Sequence, residues 1–183
     1  MPRSTGDVVR ALGNGLTAAV ALALAWMMKD FYRRAGTDDL EWLLAPTVKL
    51  TSLCAGTRFE LEPGHGYLSR ELRYEIVPAC AGVNFLVAAF LCLGLGLAHT
   101  CSSWLERLAL LVSSAGAALV TTVLANTARL SIAARLHAAG SAFGPLTPAR
   151  LHCAVGVGVY FLFLIALFSL AARVRGPVHE PAR

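Results

Sequence analysis

Three residues of this chain are of the types that thiol acyl transfer needs: Cys80, Arg129 and His152. A thiolate attacks a carbonyl, a guanidinium stabilises the oxyanion that forms, and an imidazole moves the proton to the leaving group. Pro78 suits the first position of a helix, which puts Cys80 in the first turn, where free N–H groups and the helix dipole favour a thiolate. Thr147 can cap and Pro148 can start another helix, with His152 within its first turn or so, where the dipole disfavours an imidazolium. Asn84 follows Cys80 by four and Asn126 precedes Arg129 by three, so each can share a helical face with its partner and orient it.

Bringing these residues together is the task of the apolar segments. The 183 residues are 56% hydrophobic, and the mean hydropathy of +0.61 is too high for an ordinary soluble domain. Residues 11–28, 82–98, 108–125 and 155–172 form blocks without a charged side chain. Each is about the length that crosses a hydrocarbon core of ~30 Å at 1.5 Å per residue. The expectation is a single all-α integral membrane domain, 1–183, with four spans in the lipid bilayer. The first block is long for a signal peptide, lacks a clear small-residue cleavage site and runs into Lys29 and Asp30, so it reads as a retained helix. Alternating spans put the first and third connections on one face of the membrane. Cys80, Arg129 and His152 all fall there, each at or next to a predicted boundary.

The net charge of +5 forms no basic stripe interleaved with aromatics, so nucleic acid is not expected as a partner. Arg3 and Arg10 precede the first span, Arg107 lies in the second connection, and Arg173 and Arg175 follow the last span, a modest bias towards cytoplasmic termini. Five cysteines, an odd number without a C-x-x-C pair, indicate neither a disulfide framework nor a redox motif. No His/Cys spacing resembles a zinc site, and no cofactor or metal is expected. Cys92 and Cys101 read as structural, and Cys54 is a candidate for pairing with another outer thiol.

The polar segment 29–81 is expected outside the membrane. Leu43 to Ala55 is mostly apolar but interrupted by Pro46 and Lys49, which predicts an interfacial helix rather than a fifth span. Two alternating stretches follow, Arg58 to Glu62 and Leu72 to Ile76, separated by a turn at Pro63, Gly64, His65 and Gly66, which predicts a hairpin. The third connection, from Asn126 to Arg150, is expected to hold a small helical stretch ended by Gly140, Pro145 and Pro148.

Each candidate also has a structural explanation. A cysteine near a helix end can be a small apolar filler, a membrane-edge arginine a snorkelling anchor, and a boundary histidine an interfacial residue. A thiol-redox membrane protein and a non-catalytic membrane scaffold or assembly factor are the alternatives from other classes.

Three stretches carry a family resemblance: Tyr74 to Leu86 (YEIVPACAGVNFL), Asn126 to Leu130 (NTARL) and Leu151 to Tyr160 (LHCAVGVGVY). In order and in place relative to the spans they resemble the three blocks of exosortases and archaeosortases. Leu43 to Gly66 is similar to the short exosortase K subgroup, and the likeness runs from Leu43 to Leu170. The resemblance implies Cys80, Arg129 and His152 as catalytic residues, although Ala81 stands where family members often have Ser. It further implies a multi-pass enzyme of the bacterial cytoplasmic (inner) membrane with an extracytoplasmic active site. Its substrates would be exported proteins carrying a C-terminal sorting signal with a transmembrane helix. Gly94, Gly96, Gly156 and Gly158 are the small residues expected to let that helix approach.

Overall fold

The computed structural model describes residues 5–139 and 148–175; for Thr5, Pro148, Ala149, Leu151, His152 and Arg175 it describes the backbone alone. Four long apolar helices make up the body: α1 (Thr5–Arg34), α3 (Val83–Gly96), α4 (Trp104–Ala138) and α5 (Pro148–Arg175), with α2 (Glu41–Ala55) between the first two. The chain is thus an all-α membrane protein, with four helical segments long and apolar enough to cross a bilayer, the second of them Pro78–Thr100, which is α3 with the 3-10 turns that flank it. Such helices keep every backbone polar group paired within the segment, which lipid demands. Their outward residues, among them Leu12, Leu22, Val112, Val120, Phe161 and Leu162, are exposed apolar side chains suited to acyl chains rather than water.

Three helices outrun the charge-free blocks. α1 continues to Arg34, α4 to Ala138, and α5 starts at Pro148. Asn126 to Arg135 therefore belongs to α4 and not to a connection, because a helix does not stop where lipid does. The predicted stops Gly140 and Pro145, and the predicted cap Thr147, lie outside the described residues. On α4 the charge-free run between Arg107 and Arg129 rises about 32 Å, close to the hydrocarbon thickness. The two arginines bracket the apolar core. Ser103 starts α4 with a capping box, its hydroxyl accepting from the Glu106 N–H while the Glu106 carboxylate accepts from the Ser103 N–H.

α2 buries Leu43, Leu44, Thr47, Val48 and Thr51 against α4. It is packed onto the bundle more firmly than an interfacial helix need be, although Trp42 and Leu53 stay exposed. Arg135 Nη2 of α4 donates to the Cys54 carbonyl in the last turn of α2 at 2.6 Å, a cation at the negative end of a helix.

The hairpin is instead a three-stranded antiparallel sheet of β1 (Glu60–Glu62), β2 (Gly66–Ser69) and β3 (Tyr74–Ile76). The predicted partners β1 and β3 do not pair with one another; each pairs with β2, with Leu61 opposite Tyr67 and Leu68 opposite Glu75. Gly66, predicted as part of the turn, begins the central strand. At φ 156° a Cβ there would lie 2.4 Å from the Ile76 carbonyl oxygen, so only glycine lets β2 approach β3 this closely.

Gly94, Gly96 and Gly156 serve contacts within the bundle rather than an open lateral face. Cβ atoms there would meet Leu111, Phe168 and Arg129 respectively, while Gly158 faces open space.

Candidate functional site

Val77 is extended, and Pro78–Cys80 forms a single 3-10 turn, with the Cys80 N–H donating to the Val77 carbonyl at 2.7 Å. Gly82 then adopts φ 81°, and α3 begins only at Val83. Cys80 therefore lies in a turn before the α-helix rather than in its first turn. Asn84 consequently does not share a helical face with Cys80: its Oδ1 accepts from Lys29 Nζ of α1 at 2.5 Å. The left-handed Gly82 breaks the four-residue spacing on which that expectation rested.

Arg129 does reach Cys80. Its Nη2 donates to the Cys80 carbonyl at 3.4 Å and its Nε to Asn126 Oδ1 at 3.0 Å. Asn126 Nδ2 donates to the same Cys80 carbonyl at 2.5 Å, and Tyr160 of α5 donates its hydroxyl to Asn126 Oδ1 at 2.8 Å. The orientation of this amide is fixed by chemistry, since a guanidinium can only donate and a carbonyl can only accept. Asn126 is fully buried and Arg129 nearly so, while Cys80 is half-buried. One amide thus joins the entry to α3, the second half of α4 and the middle of α5.

Packing holds this hub in place. A Cβ on Gly82 would stand 3.2 Å from Asn126 Cγ and 3.3 Å from Thr122 Cγ2. The Tyr160 ring stacks on Phe85 of α3 with centroids 4.8 Å apart, and the Arg129 guanidinium carbon lies 5.6 Å from the Tyr160 ring centre, within cation–π range. The aliphatic stem of Arg129 lies against α5 at Gly156, where an added Cβ would come 3.3 Å from Cδ.

Above the hub, Tyr74 of β3 packs edge-on to Phe59, with ring centroids 6.4 Å apart, and its ring lies 5.7 Å from that of His137 near the end of α4. Burial pushes its phenol above the ordinary value, negative charge at Cys80 would add to the rise and Arg129 opposes it. Tyr74 is therefore within electrostatic reach of both residues.

His152 falls in the first turns of α5, one helical turn before Gly156, so its backbone position shares a helical stripe with the residue that meets Arg129. Its side chain lies outside the described residues. The fold thus brings Cys80, Arg129 and Asn126 together, with the backbone of His152 on the adjoining helix, and turns Asn84 towards Lys29. Tyr160, Tyr74 and Gly82 stand inside the stretches that carry the resemblance, yet spacing gave them no role, because their partners lie on other elements. The expected pairing of Cys54 does not occur: Cys54 and Cys153 are free and exposed, Cys80 and Cys92 are free and partly buried, and Cys101 is buried at the far end of the bundle. No family model, no curated protein and no solved structure matches the chain.

Proposed function

We propose that this membrane protein is a cysteine-dependent peptidase or transpeptidase of the exosortase kind, most like exosortase K, acting on C-terminal sorting signals of exported proteins. The observation that carries the proposal is the convergence of Arg129 and Asn126 on Cys80 at one level of the bundle. A nucleophile needs a fixed backbone and an oxyanion donor close by, and these bonds supply the first while bringing the second within reach.

In the proposed reaction the Cys80 thiol gives its proton to the His152 imidazole as its sulfur attacks the carbonyl carbon of the scissile peptide, and the carbonyl oxygen takes the negative charge beside the Arg129 guanidinium. The C–N bond then breaks, the nitrogen leaves as an amine with a proton delivered by His152, and a thioester to Cys80 remains. An acceptor amine or water attacks the thioester and restores the thiol. The substrate reaches the thiol from the membrane, held by its own transmembrane helix. In this account the face bearing Cys80 is the extracytoplasmic side of a bacterial inner membrane.

A non-catalytic scaffold is supported by a specific feature of the same hub: Asn126 and Arg129 both donate to the Cys80 backbone carbonyl, as a lock between helices would require. Replacing Cys80 by Ala keeps the carbonyl and removes the thiol, so it separates the two roles. Expressed beside candidate exported proteins, Cys80→Ala is expected to leave uncleaved substrate accumulating in the membrane. Normal processing by that variant would refute the enzymatic role and leave the lock.

A further inference from the structure

At the end of the bundle away from Cys80, Arg107 is 4% exposed. Nη1 donates to Asn14 Oδ1 at 2.7 Å and to Thr17 Oγ1 at 3.4 Å, and Nη2 donates to the Cys101 carbonyl at 3.0 Å. All these acceptors are neutral. No ion pair to Arg107 occurs among the described residues. The neighbouring Glu106 carboxylate attracts Arg107 through space, but it is bonded to the Ser102 and Ser103 N–H groups in the capping box and makes no ion pair with it. A buried guanidinium whose hydrogen-bond acceptors are all neutral has no carboxylate in direct contact, which is costly at a lipid boundary unless an anion completes it.

The same arginine lines a cavity of about 460 Å³ between the first turns of α1 and the start of α4, together with Val9, Arg10, Gly13, Ser102 and Trp104. Gly13 makes room for the guanidinium, since a Cβ there would lie 2.9 Å from Arg107 Cζ. Arg10 is exposed at the rim and adds a second positive charge. Trp104, also exposed, has the amphipathic ring that settles at headgroup depth. Arg107 ends the charge-free run of α4, which sets the cavity at the level where lipid phosphates lie.

We propose that this cavity is a binding site for a phosphate group, supplied by the headgroup of an anionic phospholipid, with Arg107 and Arg10 as its counter-charges. Arg107 contacts the phosphate from inside the bundle, Arg10 closes the rim, and the acyl chains run along the exposed apolar flank of α1. The site is independent of the chemistry proposed at Cys80.

The test uses the full chain, purified in a neutral detergent, and reads bound lipid by native mass spectrometry and the thermal midpoint. Phosphatidylglycerol, phosphatidylcholine and inorganic phosphate are added in separate arms. The expected result is retention of phosphatidylglycerol with a raised midpoint, weaker retention of phosphatidylcholine, and no comparable effect of inorganic phosphate. Arg10→Glu, at an exposed position where folding is not at stake, is expected to weaken phosphatidylglycerol binding about tenfold or more. Arg107→Gln is expected to abolish the preference for the anionic lipid. Equal retention of the two lipids by wild type, or unchanged phosphatidylglycerol binding in Arg10→Glu, would overturn the site. Equal stabilisation by inorganic phosphate would overturn the lipid as its source.

Discussion

Asn126 donates its side-chain amide to the backbone carbonyl of Cys80 at 2.5 Å, across 46 positions of sequence. The same amide accepts from Arg129 and Tyr160, so a single buried residue fixes how the turn before α3 meets α4 and α5. Loss of Asn126 should therefore differ in kind from loss of the thiol.

Asn126→Ala leaves the Cys80 carbonyl, the Arg129 Nε and the Tyr160 hydroxyl each short of a partner. With about 1–3 kcal/mol for each buried polar group left unsatisfied, a total loss of about 3–9 kcal/mol is expected. Thermal unfolding in detergent, compared with wild type, is the measurement; an unchanged midpoint would mean that the hub bears no weight.

Cys80→Ala retains every hydrogen bond of the hub, because the carbonyl belongs to the backbone. Its unfolding midpoint should stay close to wild type, while substrate processing falls by about 10³-fold or more. A variant that is both inactive and unfolded would tell against the separation of lock and nucleophile.

Arg129→Lys keeps the charge but replaces a planar fork by a point charge, which cannot reach Asn126 Oδ1 and the Cys80 carbonyl in the same geometry. Processing is expected to drop about 10²-fold or more, the scale of a lost oxyanion donor. Retention of most activity would show that charge alone suffices and that the fork has no special role.

Gly82→Ala forces a side chain onto φ 81° and brings its Cβ to 3.2 Å from Asn126 Cγ. Strain of about 1–2 kcal/mol is expected from the left-handed backbone, with a further loss as Asn126 shifts. Because the strain is transmitted through Asn126, processing should fall further than stability does. Equal, small effects on both would place Gly82 outside the hub's control.

Much of this could be read from the chain before folding. The four spans were legible because charge-free runs match lipid thickness, and the meeting of Cys80 with Arg129 followed from counting faces of the membrane. Helix ends were not, since charged residues such as Arg33, Arg34 and Arg135 continue a helix beyond lipid as readily as they end it. The central strand was hidden because Gly66 carries a turn signal, although here it serves close strand pairing. Asn126 was found through its three-residue spacing from Arg129. Asn84 was misjudged because Gly82 interrupts the helix before it, and Tyr160 has no local signal, its partner being 34 positions away on another helix.

The most direct measurement is acid-quenched mass spectrometry of the purified chain after exposure to a cleavable sorting-signal protein. The expected result is an acyl adduct on the peptide containing Cys80, removed by hydroxylamine as a thioester should be and absent from Cys80→Ala. Cleavage that proceeds without any adduct on Cys80, and equally in Cys80→Ala, would contradict the account.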